Sequence, residues 1–353
     1  MSELSPLINI FKEQVDWHQA RITFLANFII ALIRVRTVNL TEIATAFNGR
    51  SKVSSHYRRL QRFFKNYDVD FTLIAKLIVS LLPLDERWIL CMDRTNWKFG
   101  DFNINILVLA IAYKGAAVPV FWVFLEKRGN SNTHERMGIM YRFIQTFGKE
   151  RIDCLTADRE FIGKEWIEYL QKEKIPFRIR IRNNTKVPNS RGNQKIKVSS
   201  VFRGLEIGES MILNKKRLVW GSSLHLIGLR LKDEWLVLIT DHAPQSALND
   251  YGKRWEIESL FACLKTRGFN FEDTHLKDTE RISKMLALMT IAFCWCYRIG
   301  EWDHQQKQIP IKKHGRLAKS LFRNGLDLLR NIVINLTSKY SDFIWATRFL
   351  SCT

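Results

Sequence analysis

The sequence Trp88-Ile-Leu-Cys-Met92 stands immediately before Asp93, and it indicates the architecture that we predict for most of the chain. A short continuous apolar run that ends at an acid is typical of a central strand, buried on both faces. The pattern recurs at Ile152-Asp-Cys-Leu-Thr-Ala157, which Asp158 follows. Two buried strands, each ending at an aspartate, predict one α/β sheet with both acids at the same edge.

The segments around these two strands complete an α/β pattern. After Asp93 we predict two strands, a helix that Asn132 and Glu135 open as a capping box, the second apolar strand, a helix and a further strand. A stretch rich in short strands and turns follows, before helices resume. We therefore predict an α/β core over residues 81–300, a β-rich insertion at about 183–235 and a C-terminal helical region over 301–353.

Residues 1–80 are predicted to form a small all-helical N-terminal domain. A short helix with Thr41 as its N-cap, a Gly-containing turn and a basic amphipathic helix have the outline of a helix-turn-helix. In the basic helix, Arg58, Arg59 and Arg62 are placed to contact DNA phosphates. An ordinary helical domain with a solvated basic face is the alternative.

The charge of the chain favours a polyanionic partner. Lys and Arg number 55 against 35 Asp and Glu among 353 residues, which gives a formal net charge of +20. Nucleic acid is the first candidate partner and an anionic membrane the second. The apolar runs Phe24–Ile33 and Met285–Tyr297 are shorter than the roughly 20 residues that span a bilayer, and no secretory signal or CxxC pair is visible. We therefore expect a cytoplasmic protein without a membrane partner.

The helix predicted after Ala247 carries the residues with the most chemistry. At about 3.6 residues per turn, its polar face contains Tyr251, Arg254, Glu258 and Lys265, beside an apolar stripe that can dock on the sheet. A carboxylate flanked by cations and a phenol suits a phosphodiester substrate. Taken alone, the same pattern fits a surface helix in which Arg254 and Glu258 form an ordinary ion pair.

Asp93 and Asp158 strengthen the chemical interpretation. The ends of adjacent strands bring carboxylates close together, and close carboxylates repel each other unless a cation neutralises them. Oxygen ligands without a His or Cys cluster favour Mg²⁺ or Mn²⁺. Two such ions about 4 Å apart can activate the attacking oxygen and stabilise the leaving oxygen of a phosphoryl displacement.

Three segments resemble the signatures of a DDE transposase. They are Asp93-Arg-Thr-Asn-Trp97, Thr156-Ala-Asp-Arg-Glu-Phe161 and the Tyr-x2-Arg-x3-Glu-x6-Lys run over residues 251–265. Their order and spacing are similar to those of the cut-and-paste insertion-sequence transposases of the IS-four family, which that Tyr-Arg-Glu-Lys signature defines. The match extends from about Arg87 to Lys284.

The resemblance implies a fold, a reaction and a set of site residues. The fold is an RNase H-like catalytic core with a β-insertion between the second Asp and the Glu. Asp93, Asp158 and Glu258 would be catalytic and hold two Mg²⁺ ions, with Mn²⁺ as an alternative, while Tyr251, Arg254 and Lys265 would contact phosphates near the transposon end. The implied enzyme is an endonuclease that binds terminal inverted repeats in double-stranded DNA, cleaves there and joins the freed 3′-hydroxyl to target DNA. Characterised relatives pass through a DNA hairpin, and the synaptic complex of two ends implies a dimer.

Further residues are expected to bind DNA. A relative stacks a Trp on a flipped base during hairpin formation, and Trp235 occupies the similar place, with a core role as the alternative. Trp255 is expected to be a packing residue. Arg178, Arg180 and Arg182 alternate along a predicted strand, so they are expected to track a DNA backbone from one face, unless that face is a solvated edge.

Two other functions stay open from the sequence. One is a non-catalytic DNA-binding regulator derived from a transposase, although all three acids are present. The other is a different RNase H-like nuclease, such as a junction resolvase or a ribonuclease. The Tyr-Arg-Glu-Lys run and the basic N-terminal segment favour transposition over both, and the choice of nucleic-acid substrate discriminates between them.

Overall fold

The computed structural model describes residues 3–313 and 315–351, and the chain divides into two compact units. The first unit contains the chain up to Pro83, Trp97–Ile104 and the chain from Leu260 onward, whereas the second contains Leu84–Asn96 and Asn105–Ser259. The N-terminal and C-terminal helices therefore belong to one unit. The functional domains expected at 1–80, 81–300 and 301–353 stay predictions.

A mixed sheet carries the two predicted aspartates, which confirms the α/β class. Nine strands of the described chain form it in the order β3-β2-β1-β4-β5-β11-β10-β8, with β9 paired to β10, and β6 pairs with β7 in a separate ribbon. The strands are β1 (Trp88–Phe99), β2 (Phe102–Tyr113), β3 (Ala116–Phe124), β4 (Ile152–Ala157), β5 (Phe177–Ile181), β6 (Lys186–Pro188), β7 (Lys195–Lys197), β8 (Ser210–Ile212), β9 (Arg217–Val219), β10 (Ser222–Arg230) and β11 (Trp235–Thr240).

The register of two central strands places the predicted acids side by side. β1 and β4 are parallel, and their last partners are Met92 and Ala157. Asp93 and Asp158 are the next residues on the two strands. The prediction that the first strand ends at Asp93 is wrong, because β1 continues to Phe99. Its later residues alternate between buried and exposed positions, so the continuous apolar run marked only the part of β1 that lies in the sheet's interior.

Helices account for most of the remaining chain. The predicted capping box is confirmed. The Asn132 side chain accepts a hydrogen bond from the backbone N–H of Glu135, and the Glu135 carboxylate accepts one from the backbone N–H of Asn132. The expected N-cap at Thr41 is wrong, because the Asn39 side chain accepts from the Thr41 backbone and the helix begins one residue before Thr41. The helices are α1 (Ser5–Gln14), α2 (Gln19–Val35), α3 (Leu40–Thr45), α4 (Val53–Asn66), α5 (Phe71–Ser80), α6 (Thr133–Phe147), α7 (Lys164–Lys172), α8 (Val198–Val201), α9 (Ala247–Gly252), α10 (Trp255–Leu264), α11 (Thr279–Gln306), α12 (Leu321–Ile334) and α13 (Tyr340–Thr347).

α11 is the central helix of the first unit. By length and composition alone it could cross a membrane, but 89% of its apolar window is buried inside the protein, as in a core helix. A Cβ added to Gly325 of α12 would lie 1.8 Å from the backbone oxygen of Cys296 on α11. The two helices therefore pack at a distance that only glycine permits at this position.

Candidate active site

In the second unit, Asp93 lies on β1 and Asp158 lies just after the neighbouring strand β4, and each is partly buried. Burial raises the pKa of Asp93 to about 6, and the carboxylates of Glu160 and Asp158 add to the rise, against the backbone N–H of Arg94 and the guanidinium of Arg254. The cause is physical: a carboxylate with little water around it and other acids nearby favours its protonated form. The structure thus brings the first two predicted acids together.

Arg254 joins Asp93 to the third predicted acid. Its Nη1 atom donates to Oδ2 of Asp93 at 3.4 Å, and its Nη2 atom donates to Oε1 of Glu258 at 2.8 Å. The Arg254 residue is 4% exposed, whereas the Glu258 side chain is 43% exposed. The carboxylates of Asp93 and Glu258 therefore share one buried guanidinium, which supplies the positive charge between them.

Tyr251 provides the contact to Asp158. Its hydroxyl donates to Oδ1 of Asp158 at 3.4 Å. Burial raises the pKa of the Tyr251 phenol to about 12, so the phenol keeps its proton at neutral pH. Asp93, Asp158 and Glu258 are thus linked through Tyr251 and Arg254, two neighbours in the predicted signature.

The signature does not form the single helix that we expected. α9 ends at Gly252 and α10 begins at Trp255, with Lys253 and Arg254 in a turn between them. The backbone N–H groups of Lys253 and Arg254 bond three residues back, to Asp250 and Tyr251, rather than four. This tighter turn follows Gly252, a poor helix former. It interrupts the helical period of about 3.6 residues from which the shared polar face was predicted.

The donor set suits a hard divalent ion in its chemistry. Three carboxylates supply only oxygen ligands, as Mg²⁺ and Mn²⁺ prefer. Within residues 3–313 and 315–351, however, no three His, Cys, Asp or Glu side chains are placed as a metal site. Two of the acids are instead paired with the guanidinium of Arg254, which lies between them. The chemistry of Asp93, Asp158 and Glu258 therefore fits a divalent ion. To bind one, these carboxylates would have to give up their present contacts with Arg254 and Tyr251.

Lys265, the last residue of the signature, belongs to the first unit. Its Nζ atom forms an ion pair with Oε1 of Glu272 at 2.8 Å and lies 5.2 Å from the centre of the Trp97 ring. Its predicted contact with a phosphate stays a prediction.

The two tryptophans near the site have different surroundings. Trp235 is half-buried at the start of β11, with the Arg230 guanidinium 4.6 Å from its ring centre. The expectation that Trp255 packs in the core is wrong, because 59% of it is exposed and the Arg254 guanidinium lies 4.9 Å from its ring centre. Ile257 is buried, and two residues on a helix point about 200° apart, so Trp255 faces outward.

The three alternating arginines do not share a surface. Arg178 is 3% exposed, and it donates to Asp250 at 3.0 Å and to Thr240 at 2.7 Å. Arg178 therefore lies in the interior of the second unit, where it does not follow a DNA backbone. The alternation in the sequence indicated which face of the strand it occupies but not which residues cover that face. Arg180 pairs with Glu234 at 2.6 Å, and Arg182 is exposed just beyond the end of β5.

The predicted DNA-binding arginines Arg58, Arg59 and Arg62 are exposed on α4. Arg58 and Arg62 line a groove of about 780 Å³ within the first unit. The residues that line it include four cations and no carboxylate, namely Arg58, Arg62, Lys65 and Arg281 with Asn39, Leu40, Thr41, Tyr57, Gln61, Phe64, Asn66, His275 and Leu276. A groove of this charge suits a polyanion.

Sequence reasoning missed the charged pairs that surround the site. Arg94 pairs with Glu160 at 2.7 Å, and Arg178 pairs with Asp250 at 3.0 Å. The only available signal was position, since Arg94 and Glu160 follow the two aspartates within two residues.

Comparison with known proteins assigns the chain to a class of enzyme. The family model described as the transposase DDE domain matches residues 85–295, which is more than half of the chain. The chain therefore belongs to the DDE transposases, enzymes of DNA transposition that use divalent metal ions. No curated protein sequence matches it. A chain of the cryo-EM structure of the piggyBac transposase synaptic complex with hairpin DNA is similar to it at 14% identity and a TM-score of 0.44, over 96% of this chain and 78% of that one.

Proposed function

We propose that this DDE transposase is a cut-and-paste enzyme of the IS-four type, with Asp93, Asp158 and Glu258 as the acids that hold two Mg²⁺ ions. One observation carries the proposal: Arg254 contacts both Asp93 and Glu258, while Tyr251 contacts Asp158. Three segments of the chain thus meet through residues that the Tyr-Arg-Glu-Lys signature and the two Asp motifs contain.

An RNase H-like core is part of the same proposal. Its support is the strand order β3-β2-β1-β4-β5, with β1, β4 and β5 parallel along their pairings. The strands β6 to β10 lie between Asp158 and Glu258 in the chain, where the β-rich insertion was expected. The insertion is therefore proposed at about residues 183–235.

Each residue of the site has a proposed part in DNA cleavage and joining. The metal ions supply Lewis-acid chemistry to phosphodiester hydrolysis and strand transfer. Asp93, Asp158 and Glu258 would hold the ions, and a divalent ion would favour the ionised form of Asp93, whose pKa burial raises. The Tyr251 phenol stays protonated, so it can donate either to Asp158 or to a phosphate oxygen. Arg254, released from Asp93, can bind a phosphate with its fork of donors.

The DNA partners are proposed from charge and position. Terminal inverted repeats would bind along the exposed Arg58, Arg59 and Arg62 of α4, and Lys265 would contact phosphates near the transposon end. Trp235 is proposed to stack on a flipped base in a hairpin intermediate, since an aromatic face beside a cation suits an extruded base. A dimer in the synaptic complex would bring two ends together before joining to target DNA.

Cleavage of a duplex tests the proposal. The substrate carries the inverted repeats that flank the source gene, and cleavage is measured with Mg²⁺, with Mn²⁺ and with EDTA. Asp93→Asn, Asp158→Asn and Glu258→Gln should each abolish cutting while a mobility-shift assay still detects end binding. Asp153→Asn is the matched control, because Asp153 lies on β4 with a side chain that is 46% exposed.

Three outcomes would overturn the proposal in different ways. Normal cutting by Glu258→Gln would show that the acids are wrongly assigned. Binding without cutting in either metal would favour the regulator. Preferential cutting of four-way junctions or of RNA–DNA hybrids would favour a different nuclease.

A further inference from the structure

A charged pair joins the residues that follow the two aspartates. Arg94 comes directly after Asp93, and Glu160 lies two residues after Asp158. The Nε atom of Arg94 donates to Oε1 of Glu160 at 2.7 Å, and its Nη2 atom donates to Oε2 at 3.0 Å. The side chains are 14% and 23% exposed, so this is a bidentate and largely desolvated pair.

The remaining donors of Arg94 are also used. Nη1 donates to Oδ1 of Asn105 at 2.8 Å, and Nη2 donates to Oδ1 of Asn130 at 3.1 Å. Asn105 is buried, and its amide donates to the backbone oxygens of Lys127 and Gly129. The Arg94 guanidinium is therefore fixed from β2 and from the loop after β3, which leaves it little freedom to move.

Glu160 is fixed from its other side. Its backbone oxygen accepts from Nη2 of the buried Arg136 at 3.0 Å, and Arg136 also donates to the backbone oxygen of Ser131. The backbone N–H of Phe161 donates to the oxygen of Asp158 at 2.9 Å, which closes the turn that contains Glu160. The pair thus connects the segment after Asp93 to the turn after Asp158.

We infer that Arg94 and Glu160 are positioning residues, which hold the turn after Asp158 against β1 so that the carboxylates of Asp93 and Asp158 face the same metal ions. This inference rests on the proposed function. Arg94 serves both sides, since its backbone N–H also donates to Oδ1 of Asp93 at 2.7 Å. A buried ion pair contributes little net stability compared with apolar side chains of the same volume, so its use here is explained by the geometry that it imposes.

Binding of Mn²⁺, followed by electron paramagnetic resonance, measures this geometry without relying on turnover. Glu160→Gln keeps the shape of the side chain but removes the charge. It should weaken Mn²⁺ binding about 10- to 100-fold, the usual effect of removing a partner behind a metal ligand, and should raise the Mn²⁺ concentration needed for cleavage by the same factor. Arg94→Lys should also weaken binding, because one ammonium cannot form the bidentate pair.

A second ion pair on β4's flanks provides the matched control. Lys149 and Glu173 are paired at 3.0 Å, just before β4 and just after α7. Glu173→Gln should leave the Mn²⁺ affinity within about twofold of the wild type, as for a partner distant from the ligands. The double variant Arg94→Gln/Glu160→Gln should bind Mn²⁺ no worse than Glu160→Gln, since it leaves no unpaired buried charge.

The outcomes separate this inference from the proposed function. If the wild type binds Mn²⁺ and Asp158→Asn does not, but folded Glu160→Gln binds as the wild type does, the pair is only structural and the inference is wrong. If Glu160→Gln fails to fold, Arg94→Lys and the double variant decide in the same way. If the wild type binds no Mn²⁺, or Asp158→Asn binds it equally well, the proposed metal site itself is wrong.

Discussion

Replacing Asp93 with Asn should stabilise the metal-free protein at alkaline pH. Burial raises the pKa of Asp93 from 3.8 to about 6, so the folded state binds the proton more tightly than the unfolded state does. Folding stability therefore falls as the pH rises from 3.8 through 6, and the cost is fully present above that. At about 1.36 kcal/mol per pH unit, the cost of the ionised carboxylate is about 3 kcal/mol. Asn avoids this cost but loses the Arg254 contact at 3.4 Å, so we expect a net gain of about 1–2 kcal/mol at pH 8.

Urea unfolding in EDTA at pH 5 and pH 8 measures this effect. The gain of Asp93→Asn over the wild type should be smaller at pH 5 by about 1.4 kcal/mol, because most of the Asp93 carboxyl is already protonated there. Asp153→Asn serves as the control, since the Asp153 side chain is 46% exposed and its replacement should have the same small effect at both pH values. A variant no more stable than the wild type at pH 8, or a gain that is equal at the two pH values, would refute the reasoning.

Other substitutions test the burial and charge of single side chains. Arg178→Met should destabilise the protein by about 3–5 kcal/mol in urea, because Asp250 stays buried without its cation; the double variant Arg178→Met/Asp250→Asn should be milder. Trp255→Ala should change the unfolding free energy by less than about 0.5 kcal/mol, whereas Trp166→Ala, in the core, should cost about 3–5 kcal/mol, and equal thermal shifts would contradict this. Arg62→Ala should reduce the slope of log affinity against log salt by about 0.9 in duplex binding followed by fluorescence anisotropy, and an unchanged slope would remove Arg62 from the phosphate contacts.

The central strands were predictable because burial leaves a direct trace in composition. Trp88–Met92 is apolar without a break, Ile152–Ala157 is interrupted only by Asp153 and Thr156, and both segments lie in the sheet. The capping box at Asn132 was predictable for a similar reason, since two residues three positions apart suffice to make it. Local sequence thus determined the elements, and the parallel register of β1 and β4 then placed the two aspartates together.

Contacts made far along the chain were not predictable in the same way. Alternation gave the face of Arg178 but could not show that Asp250, 72 residues later, fills its surroundings. We assumed one continuous helix over residues 251–265, and that assumption could not show the turn at Lys253 and Arg254. In this turn the backbone N–H groups bond to carbonyl oxygens three residues earlier rather than four. The exposure of Trp255 follows from the same turn, because it sets the rotation at which α10 begins.

The guanidinium between Asp93 and Glu258 has a consequence for the order of events in the life of the protein. Acids gathered at one point normally repel, and some small metalloproteins stay unfolded until an ion arrives. Here an internal cation pairs with both carboxylates as soon as the chain folds, and so offsets part of that repulsion. On the proposed assignment of the metal ligands, the enzyme can therefore fold before it binds metal, and the supply of ions then governs its activity rather than its folding.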